Sequence, residues 1–361
     1  MYSINSIQPI INSKFYITDP IQIIGEVEHT SIGGYTINRP RRIIGSGAQG
    51  WVELATKDGK QYIIKFSMNQ VSGENEYRIM DHVRHENIIK VFGFYKNIKR
   101  RDATGKLVTV SALIMEYAEH GELFSLVDKN VFGTNNQMYM EELESYVRII
   151  FTQLLDAISC CHRNGIVHLD IKLENILLDK DWNVKVSDFG LALNGYIQNI
   201  KHGTPMYYPP EFFTPIHTYD GRKVDIFSAG IVLFILLMGY QPWTRLDDEF
   251  YSCIRDRDFT RFWDLHAAYG RVISRNAKSL LNRMFEEPDF RITIEGIKKS
   301  AWFTTPNLIS KEDMVQRFDK YTVESKQGKR RSKRRNGRKT KSRNPQRRNV
   351  RKLKIPKLIR N

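Results

Sequence analysis

The stretch 168-HLDIKLENILL-178 places Asp170, Lys172 and Asn175 at fixed offsets ahead of an apolar run. A second acidic loop, 187-SDFG-190, follows, with Asp188 thirteen residues beyond Asn175. NILLD and NVKV between them read as two short strands, so one hairpin is flanked by both polar loops. Leu169 stands where a charged residue between His168 and Asp170 is more familiar.

Moving the γ-phosphoryl of ATP requires a backbone cradle, a cation on the phosphates, metal ligands and a carboxylate that orients the acceptor. Upstream of the hairpin, Gly45, Gly47 and Gly50 form GxGxxG between two strand-like runs that turn at Asp58-Gly59. A Rossmann turn would need a helix next, and WVELAT is a strand. Lys65 ends the following strand. GENEYRIMDHV then reads as a helix with Glu76, Ile79, Met80 and Val83 near one face, and Glu76 is the expected partner of Lys65, with Glu74 as the alternative. In the downstream loops, Asp170 offers a carboxylate to an acceptor hydroxyl, Lys172 a cation to the γ-phosphate, and Asn175 with Asp188 ligands to Mg²⁺.

At 361 residues and 41% apolar content the chain can bury a large core. The net charge of +16 is concentrated: residues 326–361 hold 18 Lys or Arg and no Asp or Glu, leaving 38 basic and 40 acidic residues elsewhere. Cys160, Cys161 and Cys253 cannot build a disulfide framework or a zinc site, which suggests a reducing compartment, cytoplasmic or nuclear. The N-terminus does not look like a secretory signal, and IFSAGIVLFILLMG from Ile226 is too short to span a bilayer and reads as a buried helix. EELESYVRIIFTQLLDAISCCHRNG keeps the 3.6 period through Leu143, Val147, Ile150, Phe151, Leu154, Leu155 and Ile158, and Asn164-Gly165 supplies its stop.

In order and spacing the motifs resemble a eukaryotic-type Ser/Thr protein kinase, similar to the calmodulin-dependent and Snf-related branch. They run from GxGxxGxV at Gly45 to Val52 through Lys65, Glu76, HEN (85–87) and MEYAEHGEL to HLDIKLEN, DFG, GTPMYYPPE, DIFSAGIVLF and Arg291. The resemblance implies an α+β, bilobal fold with a mostly antiparallel-sheet N-lobe and a mostly helical C-lobe. It divides the chain into a 1–34 extension, a 35–303 kinase domain, a 304–325 C-terminal extension and a 326–361 polybasic tail expected to be disordered.

The same resemblance implies roles for individual residues. Glu116 and Ala118 would offer backbone groups to adenine, Met115 would be the gatekeeper, and Glu122 would face ribose or peptide. Asp170 would be the catalytic base, Lys172 the γ-phosphate contact, and Asn175 and Asp188 the Mg²⁺ ligands. Glu122 and Glu174 match positions that favour a basic substrate residue, and Lys172 with Thr204 marks a Ser/Thr specificity. Asp225 would tie down the catalytic loop, and Arg291 would pair with Glu211.

Several positions depart from the family pattern. Ile63 replaces a small residue over adenine, Gln49 an aromatic and Pro209 an Ala. The Lys65-to-Glu76 interval is short by about two helical turns at 3.6 residues each, so the helix must be clipped at its start. Leu169 removes the Arg that would pair with a loop phosphate. Between Asp188 and Gly203 there is no Ser or Thr, only Tyr196, so phosphorylation of this loop is not expected to be the on-switch. The tail suggests polyanion binding, to nucleic acid or an anionic membrane, and KRRSKRR (329–335) resembles a nuclear signal. Ser332 behind Lys329, Arg330 and Arg331 raises the idea of a tail that acts as substrate or competitor. A pseudokinase or scaffold that only binds is the rival to the enzyme, and a nucleic-acid binder acting through the tail alone is a third reading.

Overall fold

The computed structural model describes residues 28–47, 50–128, 140–215, 218–268 and 271–320. Strands β1 (Ser31–Ile32), β2 (Tyr35–Ile37), β3 (Ile43–Gly47), β4 (Gly50–Lys57), β5 (Lys60–Ser67), β6 (Val91–Arg101) and β7 (Leu107–Glu116) build one seven-stranded antiparallel sheet. Its order is β1-β2-β4-β5-β7-β6, with β3 on β4. The β4–β5 turn is the two-residue Asp58-Gly59 with φ of 49° and 73°, the left-handed pair that matches strand twist.

Helix α1 (Gln70–His82) begins only two residues after β5 ends, because the Asn69 side chain accepts from Val71 N and Ser72 N and caps the helix at once. It therefore starts before the GENEYRIMDHV segment, yet remains short.

Residues 28–34, expected as part of a loose extension, belong to this lobe. β1 pairs with β2, and His29 N donates to Lys99 O at 2.9 Å. Beneath them lies a buried charged knot: the Glu53 carboxylate accepts from Trp51 Nε1 at 2.5 Å, Arg41 Nε at 2.8 Å and Arg100 NH2 at 2.6 Å, and Arg100 also reaches His29 O at 2.6 Å. Three donors on one buried carboxylate offset the cost of taking it out of water.

The second lobe opens with β8 (Gly121–Glu122) and α2 (Phe124–Asp128), followed by the 24-residue α3 (Met140–Arg163), which stops before Gly165 at φ 72°. β9 (Ile166–Val167), β10 (Ile176–Leu178), β11 (Val184–Val186), β12 (Leu193–Asn194), β13 (Ile197–Gln198) and β14 (Tyr219–Asp220) are short pieces that carry the loops. Helices α4 (Gly221–Met238), α5 (Glu249–Arg255), α6 (Phe259–Ala267), α7 (Arg275–Phe285), α8 (Ile294–Lys298) and α9 (Ala301–Thr304) complete the bundle. The apolar run from Ile226 lies in α4, which is almost wholly buried against α3 and α7 and capped by Asp220 and Gly239.

Past 303, where the sequence suggested a short extension, a helix over 311–320 packs onto this lobe. Met314 and Phe318 are buried, the Phe318 ring lies 5.1 Å from Trp182 and 6.1 Å from Tyr146, and Trp182 Nε1 donates to Asp319 Oδ1 at 2.9 Å. The disorder expected over 326–361 falls outside the described residues.

Candidate active site

Two polar constellations meet where the lobes face each other. In the first, Lys65 Nζ lies 2.7 Å from Glu76 Oε1 and 2.8 Å from Asp188 Oδ1, so β5, α1 and the loop after β11 converge on one ammonium. Glu74, the alternative partner, pairs instead with Arg78 and Lys96. Burial alone would lower the Lys65 pKa, but Glu76 and Asp188 outweigh it and hold the ammonium charged. Burial likewise works to raise Asp188, and Lys65 holds its carboxyl below the ordinary range. Glu76, more deeply buried and facing a second carboxylate, is pushed up.

The second constellation hangs on Thr204. Its hydroxyl donates to Asp170 Oδ1 at 2.8 Å and accepts from Lys172 Nζ at 2.7 Å, while Lys172 lies 2.9 Å from Asp170 Oδ2. Asn175 Nδ2 donates to the same Oδ2 at 2.9 Å and to Asp170 O at 2.9 Å. Thr204, Lys172 and Asn175, all named in the sequence, thus contact the Asp170 carboxylate directly, an arrangement able to aim it at an incoming hydroxyl.

Both loops are bent through left-handed backbone at non-glycine residues, Leu169 at φ 62° and Asp188 at φ 61°. The first bend is pinned from α4: Asp225, fully buried, accepts from His168 N at 2.9 Å, Leu169 N at 2.8 Å and His162 Nε2 at 2.9 Å. The second is backed by Phe189, buried edge-on to His168 at 4.7 Å. Arg291 grips Glu211 at 2.7 and 2.9 Å, joining the segment after Thr204 to α7's end of the bundle.

Around the cleft, Ile63 and Lys65 share a face of β5, and Met115 on β7 is the cross-strand partner of Ile63. Ile63 is only 8% exposed. The Glu116 side chain is tied to Lys185 at 2.9 Å and Lys90 N at 3.1 Å, Ala118 is buried, and Glu122 pairs in register with Leu177. Val52 pairs with Gly45 and with Lys65, and Gly47 with Gly50. Of the three loop glycines, Gly50 is constrained by packing, since a Cβ there would fall 1.8 Å from Phe66 O. Glu174 keeps one carboxylate oxygen buried with no hydrogen-bond partner, and burial first, then Glu122 and Asp170 nearby, raises its pKa.

Mg²⁺ takes one or two protein oxygens and shares the rest of its shell with phosphates and water. The donor set fits such a shared shell: the Asp188 side chain is 47% exposed, and Ser187 N beside it donates to Asn175 O at 2.9 Å, which sets the two loops together. Gly190 leaves open the space 3.3 Å from Asp188 Oδ1 that a Cβ would fill.

Leu169 is 3% exposed and packs with Val167, Phe212 and Val224, flanked by Leu193, Tyr196, Tyr208 and Tyr219. The chain from Leu193 onward is zipped down by backbone pairing with its neighbours. β12 pairs with β9, Gly195 N donates to Gly165 O at 2.7 Å, β13 pairs with β14, and Gly221 N donates to Tyr196 O at 2.8 Å. The Tyr196 hydroxyl donates to His162 O at 2.5 Å. Gly203, at φ 119°, brings the far end of the segment back onto the catalytic loop, where a Cβ would come 2.5 Å from Leu169 O. The structural work of Tyr196 and His162 was not read from the sequence, although a loop with one hydroxyl beside an apolar Leu169 was the available signal.

The protein kinase domain family matches residues 39–303. Among curated relatives, the probable serine/threonine-protein kinase MARK-B of Dictyostelium discoideum is 32% identical over 75% of this chain and 36% of its own length. CBL-interacting serine/threonine-protein kinase 8 of Arabidopsis thaliana is 33% identical over 75% of this chain and 58% of its own. The SNF1-like protein kinase ssp2 of Schizosaccharomyces pombe is 33% identical over 75% and 44%. The chain therefore spans between about a third and three fifths of the length of these relatives.

Proposed function

This chain belongs to the protein kinase family, and from that premise we propose that it transfers the γ-phosphoryl of ATP to Ser and Thr hydroxyls of protein substrates. The observation that carries the reading is the Asp170–Thr204–Lys172–Asn175 shell facing the Lys65–Glu76–Asp188 ion set. In this reading Lys65, steadied by Glu76, contacts the nucleotide phosphates from above. Asp170 accepts the proton of the acceptor hydroxyl as the new P–O bond forms, and Lys172 faces the transferred group. Mg²⁺, when bound, neutralises phosphate charge, and Asn175 with Asp188 would hold it. The hinge backbone at Glu116 and Ala118 would take adenine, with Met115 and Ile63 walling the pocket.

Two finer features belong to the same proposal. Substrates carry basic residues ahead of the acceptor, because Glu174 buries a carboxylate oxygen without a partner and a cation would satisfy it. Activity does not depend on phosphate in the 188–203 loop, because Leu169 fills with apolar contacts the place where a charge would need one.

The rival reading, a scaffold that binds without transfer, rests on Ile63 and the short α1. Against it, the Lys65–Glu76 pair closes at 2.7 Å despite the short helix. The basic tail, outside the described residues, is proposed to bind polyanions, nucleic acid or anionic membrane, in a cytoplasmic or nuclear setting. A regulatory protein partner is proposed on the printed name of the CBL-interacting relative. No described helix is long and apolar enough to cross a membrane.

A peptide-array transfer assay with Mg-ATP, run on the full chain and on Asp188→Ala, tests the reading. Phosphate on Ser/Thr peptides with upstream Arg or Lys, lost in Asp188→Ala, is expected. Nucleotide binding with no transfer to any peptide would favour the scaffold.

A further inference from the structure

We infer that Gln70 and Asn97 are positioning residues: the bulged strand β6 clamps α1 at one rotation, so that Glu76 holds Lys65 before any nucleotide or partner protein arrives. This deepens the proposed function, on which the meaning of that ion pair rests.

The period of α1 separates two stripes. Gly73, Glu76 and Met80 lie three and four residues apart and face the sheet and the cleft, where Glu76 meets Lys65 at 2.7 Å. Gln70, Glu74 and Tyr77 form the neighbouring stripe, and each has a partner on β6. Asn97 N donates to Gln70 Oε1 at 2.9 Å, and Gln70 Nε2 returns to Asn97 Oδ1 at 3.4 Å. Lys96 pairs with Glu74, and the Phe94 ring stacks on Tyr77 at 5.7 Å and 14°. As α1 runs forward from 70 to 77, β6 runs back from 97 to 94. The helical span rises about 10 Å and the strand span about 10 Å, so the two rows of side chains stay in step.

The Gln70 contact needs a defect in the strand. Regular alternation would put residue 97 on the face opposite 94 and 96. β6 instead carries one extra residue against β7 between Tyr95 and Ile98, and Asn97 takes up the kink with φ 59°. A bulge leaves a residue out of the ladder and re-aims it, and here the backbone N–H so released is spent on Gln70. Asn enters the left-handed region more readily than a branched or bulky residue.

The opposite side of α1 resists rolling as well. A Cβ at Gly73 would fall 2.6 Å from Ser111 Oγ and 3.3 Å from Phe94 Cε2, so neither Ser72 nor Glu74 can take its place against the sheet. Met68 and Asn69 alone join the helix to β5. A roll of one residue, about 100°, would carry Glu76 off Lys65 and break the three β6 contacts together. Clamp, close approach and short connector fix the same rotation.

Hydrogen exchange read by mass spectrometry on the full chain, with and without Mg-ADP, tests this beside steady-state transfer to a basic peptide. In the parent, α1 amides are expected to be protected without nucleotide and unchanged by it. Gln70→Ala should speed exchange over 70–77 about fivefold, the equivalent of one hydrogen bond, and lower kcat/KM for ATP by a similar factor with peptide KM unmoved. Gln70→Glu keeps an acceptor for Asn97 N and should restore both readouts. Exchange in α1 that is fast in the free chain and slowed by nucleotide would show that nucleotide assembles the pair, and would overturn the inference. So would Gln70→Ala exchange equal to the parent's. A chain that keeps the expected exchange pattern yet transfers phosphate to no peptide would leave the clamp standing and take down the kinase reading alone.

Discussion

The guanidinium of Arg222 lies 4.0 Å from the ring centroid of Tyr196, and that tyrosine's hydroxyl is spent on His162 O. One aromatic ring therefore anchors the segment after DFG from both sides, directly beside buried Leu169. Phosphatase-treated protein is expected to keep its transfer rate. Leu169→Arg should bury an unpaired charge and cost about 3 kcal/mol or more, lowering Tm by roughly 5 °C or more in calorimetry. A rate that collapses on phosphatase treatment and returns with phosphate at Tyr196 would overturn this account.

Thr204 bridges Lys172 and Asp170. Thr204→Val leaves both without the shared hydroxyl, a cost of about 1–3 kcal/mol, which corresponds to roughly 5- to 150-fold in kcat if the loss falls on the transition state. Steady-state kinetics should show kcat falling and peptide KM moving much less. The opposite split would make Thr204 a binding residue.

Ile63 is a buried neighbour of Met115 on the cleft face of β5. Ile63→Ala removes core packing worth about 2–5 kcal/mol, yet it should tighten nucleotide binding by giving the adenine ring room. Calorimetric titration with ATP on variant and parent decides it, and an unchanged or weaker Kd would show that Ile63 does not crowd the site.

His266 is enclosed by Phe234, Phe250 and Phe262, and burial drives its pKa from 6.5 down to about 3. A histidine depressed in the folded state takes up its proton first in the unfolded chain, so its contribution is complete above pH 6.5 and lost as pH falls toward 3. At pH 5 the loss is about 2 kcal/mol. Urea unfolding at pH 8 and pH 5 should show this drop in the parent and less of it in His266→Phe. Equal drops would assign the acid sensitivity elsewhere.

Phe318 closes the contact of the 311–320 helix with Trp182 and Tyr146. Phe318→Ala should cost about 3–5 kcal/mol in urea unfolding. A change no larger than that of an exposed substitution would mean the helix is only loosely docked.

The parts of the fold legible in the sequence were those with a short-range cause. Asp58-Gly59 demanded a tight hairpin, the α3 stripe from Leu143 to Ile158 carried its own period, and the HLDIKLEN and DFG loops held the chemistry at fixed spacing. The knot of Glu53 with Arg100 gave no such sign. Its partners are 47 positions apart, and the KNIKRR stretch of β6 looks like a charged loop although Ile98 and Arg100 both turn inward. The same holds for residues 28–34 and for 311–320, whose burial depends on surfaces supplied by distant parts of the chain. At the site, Lys65–Glu76 was foreseeable by analogy, while the hydroxyl of Tyr196 could be assigned only once α3 supplied the carbonyl of His162.

The docked 311–320 helix also has a meaning for synthesis. Trp182, Tyr146 and Met314 become one closed core only after residue 320 has left the ribosome. A polypeptide released before that point would keep an aromatic patch open to water, the kind of surface that chaperones retain and proteases clear.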